Sequence, residues 1–189
     1  VAARLAPGLR GLGLLARIAA AKLSALADPE DHDGDGVSGR VRWLGTPQGR
    51  RPGRFGLKAE SADLGHQVSR ALALDMGVAS ARFPAPAGDC TTVQADCRAQ
   101  AGTGTPVATA AIQALTTYLE ALRPRPLPPL AHDPRGSALF ADLGCATCHV
   151  GSFVVSSDPG VTGRPIERIA PFTDLLLHDV GPELAEAVD

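Results

Sequence analysis

Residues 143–150 read LGCATCHV. Cys145 and Cys148 stand three positions apart and His149 follows at once, a pattern open to three chemistries: a covalent haem site, a thiol redox pair, or half of a structural zinc site. With four Cys and five His in 189 residues, chance places such a run with a probability of about 0.002. The spacing has a chemical reason. Two thiols on one helical turn add to the two vinyl groups of a haem, and the adjacent imidazole becomes the proximal iron ligand.

The rival readings lack their other halves. A thioredoxin-like pair expects a preceding strand in a βαβ pattern, whereas Arg135 to Leu143 reads as a helix ending at Gly144, like the first helix of a cytochrome c domain. A zinc site needs two more ligands, and Cys90 and Cys97 have six residues between them and lie beyond a proline-rich stretch. One covalent haem c is therefore expected at Cys145, Cys148 and His149. For the opposite face of the iron, His178 in PFTDLLLHDVGPEL is the candidate side chain, the alternative being a hydrogen bond to a propionate or to backbone. The sole methionine, Met76, reads as packing. Arg164 and Arg168, in VTGRPIERIAPF, are the cations expected to reach the propionates.

Working outward, 44% apolar residues and a mean hydropathy of +0.05 indicate a core-forming chain. A formal charge of −2, with no basic stripe, gives no electrostatic case for nucleic acid. No run of about 18 uncharged apolar residues occurs, so no transmembrane segment is expected. The first residues imitate a signal peptide, but Arg17 and Lys22 interrupt the apolar stretch, which reads instead as an amphipathic helix from Leu9 to Ala27. The missing initiator Met points to a processed chain or a fragment.

Further helices are expected from Ala62 to Met76, with Ser61 as N-cap and Gly77 at C′, from Thr105-Pro106 to just before Pro124, and from Asp133-Pro134 to Gly144. RVRWLG reads as a short strand. RPRPLPPLAHDP reads as an extended polyproline segment. The expected organisation is a loop-rich helical first part (1–123), a linker (124–131) and a cytochrome c-like haem-binding domain (132–189), mainly α throughout.

Two further features carry chemistry. Asp31, Asp33 and Asp35 occupy positions 1, 3 and 5 of an EF-hand-like loop with Gly36 at position 6, which makes Ca2+ a candidate; position 12, however, is Arg42, so the usual bidentate ligand is missing. Otherwise the loop is a solvated turn. Covalent haem implies an oxidising, extracytoplasmic compartment, where Cys90 and Cys97 are expected to close a disulfide. Trp43, the only tryptophan, reads as packing, with a place on an electron path as the alternative.

Taken together, ALADPEDHDGDGVSGR, GRFGLKA, ALALDMG, the Cys90/Cys97 loop, ALFADLGCATCHV and PFTDLLLHDVGPELA resemble the bacterial di-haem oxidoreductases, a family of di-haem peroxidase and thiol oxidoreductase-like c-type cytochromes. The resemblance runs along nearly the whole chain and implies a periplasmic protein with cytochrome-like haem domains. Members carry an earlier Cys-x-x-Cys-His, absent here, and continue past GPELA, so this chain is expected to be a middle piece of the family's length. Where the family reads HDMGP, this chain has Val180.

Three functions follow as expectations. The first is electron transfer through one low-spin haem, within a larger redox protein or docked on a redox partner. The second is a fragment of a di-haem peroxidase-like oxidoreductase with an open distal side. The third is a non-catalytic structural subunit stabilised by calcium and the disulfide.

Overall fold

The computed structural model describes residues 6–99, 104–124, 133–155 and 167–182. Most of the linker and Arg164 lie outside the described residues. Among those described, helix makes up 36% and strand 13%, so the fold is mixed rather than mainly α. The cytochrome c-like fold expected for 132–189 is not found either. What is described there is one helix, one 3-10 turn and three short strands.

The N-terminal segment forms two helices, α1 (Leu12–Ala16) and α2 (Ala20–Leu26), not one. Ala19 is extended between them (φ −65°, ψ 139°). The break has a long-range cause: the buried Arg54 donates from Nη2 to the Ile18 carbonyl at 2.6 Å, which takes an acceptor that a continuous helix would use. β1 (Gly39–Arg40) follows, then the hairpin of β2 (Trp43–Thr46) and β3 (Gly49–Pro52).

Helix α3 (Leu64–Met76) begins later than Ser61 would allow, because Asp63 caps it by accepting from the His66 amide at 2.7 Å. Ser61 is buried and bonds the His66 ring instead. Gly77 closes the helix in the left-handed conformation, as expected. A short helix, α4 (Ala95–Ala99), lies in the Cys90/Cys97 loop, and α5 (Thr109–Ala121) starts at Ala108 after Val107 has hydrogen-bonded to the Ala79 carbonyl. α6 (Pro134–Asp142) has its proline inside the first turn and Asp133 as the cap.

The remaining strands β4 (Phe153–Val155), β5 (Glu167–Ile169) and β6 (Leu177–His178) complete three two-stranded antiparallel sheets, β1-β6, β2-β3 and β4-β5. One core cluster draws on both sides of the linker: Leu14, Ile18 and Leu23 from α1, α2 and the turn between them pack with Phe153, Val155 and Ile169 of β4 and β5. Glu167 adds a polar tie, bonding Arg123 at 3.0 Å and Arg17 at 3.4 Å. The pairing Gly39↔His178 joins the acidic loop to the segment after the Cys-x-x-Cys-His run.

Candidate functional site

Local backbone geometry gathers the three motif residues. Gly144 leaves α6 with φ 75°, a left-handed turn that a side chain resists, and opens a 3-10 helix over Cys145–Thr147. Both the Cys148 and the His149 amides then bond back to the Cys145 carbonyl, the latter at 2.9 Å. Thiols and imidazole thus leave a single tight turn. Cys145 and Cys148 are partly buried and not bridged to each other.

His149 is fixed by its Nδ1, which lies 2.8 Å from the Phe172 carbonyl. A carbonyl only accepts, so Nδ1 carries the proton and Nε2 keeps its lone pair for a metal. The ring of Phe140 packs edge-on to those of His149 and Phe172, with centroids 6.3 and 5.6 Å away. Leu139, Leu143 and Phe172 are 57%, 75% and 48% exposed, an apolar surface beside the thiols of the kind that marks a ligand site. Unbridged thiols, an imidazole with Nε2 available and exposed apolar side chains together fit a haem. Cys145 and Cys148 would hold its vinyl carbons and His149 its iron.

The Phe172 carbonyl comes from a strained loop. Phe172 and Leu175 have φ of 51° and 61°, a region that costs a non-glycine residue about 1–2 kcal/mol. Between them the buried Asp174 accepts from the Leu176 amide at 2.9 Å and meets His178 Nε2 at 2.6 Å. Burial, then the Asp174 and Asp35 carboxylates, push the Cys148 thiol pKa up.

Other candidates lie as follows. Arg168, on β5, donates to Ser152 Oγ at 3.0 Å, three residues from His149. Asp31, Asp33 and Asp35 each offer a carboxylate oxygen within 4.8 Å of the others. Nearby, Asp28 accepts from the His32 amide and ring, which draws its carboxyl pKa down to about 2. Cys90 and Cys97 form the expected disulfide, with Cα atoms 5.7 Å apart. Met76 is 68% exposed at the end of α3, and Trp43 is 40% exposed beneath the Arg50 guanidinium.

Sequence reasoning missed Phe172 and Asp174. The i,i+4 spacing of Asp174 and His178 was a usable signal for the second. A backbone carbonyl leaves none.

Among known families, the model described as "Di-haem oxidoreductase, putative peroxidase" matches residues 1–189. No curated protein and no solved structure matches the chain.

Proposed function

The chain belongs to the di-haem oxidoreductase family, and from that premise we propose that it is an electron-transfer c-type cytochrome unit. Cys145 and Cys148 would hold one haem covalently, and His149, with His178 as a second candidate, would ligate its iron. The observation that carries the reading is the His149 Nδ1 contact with the Phe172 carbonyl, 2.8 Å long, which leaves Nε2 as the ligating atom. Haem supplies one-electron chemistry when bound. The chain's own residues attach it, orient the imidazole and shield one edge with Phe140 and Phe172.

Thiol–disulfide exchange is the weaker reading of the same motif, because a raised Cys148 pKa keeps the thiol protonated, and the thiolate is the nucleophile. The Cys90–Cys97 disulfide supports an extracytoplasmic location, such as the periplasm. Among the described residues no helix is long and apolar enough to cross a membrane. A redox protein, or a larger electron-transfer assembly, is the proposed partner. Arg168, together with Arg164, is proposed to face the propionates.

The test is intact-protein mass after expression with haem c maturation. The wild-type chain should gain one haem that survives denaturation, and Cys145→Ser with Cys148→Ser should carry none. An unmodified wild-type chain would refute the assignment.

A peroxidase-like enzyme is the second reading, favoured by the family's own description. It requires an open axial position, so hydrogen peroxide and cyanide should perturb the spectrum; the electron-transfer reading expects neither to do so. Ca2+ at Asp31, Asp33 and Asp35 is proposed as a structural ion. It should raise the melting temperature reversibly, with chelator restoring the lower value, and an unchanged melting temperature would remove it.

A further inference from the structure

The orientation of His149 depends on one acceptor, the Phe172 carbonyl 2.8 Å from its Nδ1. That carbonyl belongs to a turn that does not hold by itself. Phe172 and Leu175 have φ of 51° and 61°, a left-handed conformation that a residue with a Cβ leaves unless its surroundings fix it. What fixes this turn lies between the two, at Asp174.

Asp174 is 5% exposed, and among the described residues it is the only buried acidic side chain. A carboxylate taken out of water is costly unless its oxygens are satisfied. Both are: Oδ1 accepts from the Leu176 amide at 2.9 Å, and Oδ2 meets His178 Nε2 at 2.6 Å. The first bond closes the turn on its C-terminal side. The second ties it to β6, where His178 pairs with Gly39 of β1. β1 backs this anchor closely, since a Cβ on Gly39 would stand 2.8 Å from Leu176 Cδ1 and 3.1 Å from His178 Cε1. The Leu175 amide adds a longer bond to Thr173 Oγ1, at 3.1 Å. At the other end of the turn the Phe172 ring rests edge-on against Phe140, with centroids 5.6 Å apart.

We propose that Asp174 is a positioning residue for His149: it holds the turn from Phe172 to Leu176 so that the Phe172 carbonyl keeps the Nδ1 proton and Nε2 stays free for the haem iron. The inference rests on the haem reading above, and it holds whichever side chain takes the iron's other axial position. A fixed carbonyl on Nδ1 raises the basicity of the imidazole, which favours ferric iron and lowers the potential. Without the carboxylate the two left-handed residues relax, the carbonyl withdraws, and the imidazole keeps neither its tautomer nor its orientation.

The experiment compares wild type with Asp174→Ala in two states. In the chain expressed without haem, nitrogen NMR of the histidine side chains, at a pH where the ring is neutral, reads the His149 tautomer. In the haem-loaded chain a potentiometric titration reads the iron. Wild type should show His149 protonated at Nδ1. Asp174→Ala should lose that single tautomer for the mixture of a free imidazole and, when loaded, have a higher potential. Asp174→Asn, which keeps an oxygen for the Leu176 amide, stands in if the alanine variant does not fold, and should show both changes in smaller measure. A loss of stability alone, with the Nδ1 tautomer and the potential unchanged in a folded variant, overturns this inference and leaves haem attachment untouched. A wild-type chain that takes up no covalent haem overturns the haem reading, while the tautomer still decides whether Asp174 positions His149.

Discussion

Cys148 shows how much one side chain's surroundings decide. Burial is the larger cause of its raised pKa, with the Asp174 and Asp35 carboxylates adding to it. Before haem attachment, alkylation of Cys148 at pH 8 should be slower than that of a free thiol, and Asp174→Asn should accelerate it in part; equal rates would contradict the placement. Asp28 and His32 give a second residue-scale prediction. The Asp28 pKa falls from 3.8 to about 2, chiefly because its carboxylate accepts from the His32 backbone amide and then from the His32 ring, and that of His32 rises above 6.5, chiefly through the ring's hydrogen bond to Asp28. The Asp28 contribution is present above its unfolded pKa and lost as pH falls through the folded one. That of His32 is present below 6.5 and lost as pH rises through its folded pKa. An NMR titration should return His32 toward 6.5 in Asp28→Asn. At this scale the sequence was informative where chemistry is local: Cys145, Cys148 and His149 are adjacent, so their grouping was readable. The acceptors on Phe172 and Asp174 depend on a loop returning from 23 residues beyond His149 in the first case, which no spacing rule anticipates.

Elements with strong local signals came out close to the sequence expectation. Asp133-Pro134 and Gly144 bound α6, and Gly77 ends α3, because caps and breakers act within a turn. The long N-terminal helix failed because a distant side chain, Arg54, claims the Ile18 carbonyl. Strands β1 and β4 to β6 are only 2–3 residues long, too short for alternation to register. Of these, β4 matters most for stability: Phe153 and Val155 are 2% and 0% exposed, facing Leu23 at 0% in the same cluster. Phe153→Ala should cost about 3–5 kcal/mol in urea unfolding. A loss well under 1 kcal/mol would mean the core lies elsewhere.

Across the molecule, the shared core and the Glu167 ties to Arg17 and Arg123 make the segment after the Cys-x-x-Cys-His run and the N-terminal helices parts of one packed body. The Arg123–Glu167 pair is exposed and adds little energy; the apolar cluster carries the coupling. Trp43 fluorescence reports the first part and haem absorption the second, so both should follow one denaturation curve. Two separated transitions would show that the parts fold independently. The family model describes di-haem oxidoreductases, and the sequence given carries one Cys-x-x-Cys-His. The most direct measurement is the visible spectrum of the purified chain, oxidised and reduced, with an alkaline pyridine step that identifies and counts the haem. One covalent haem c per chain, with sharp low-spin bands, is the expected result. A chain with no covalent haem would contradict it.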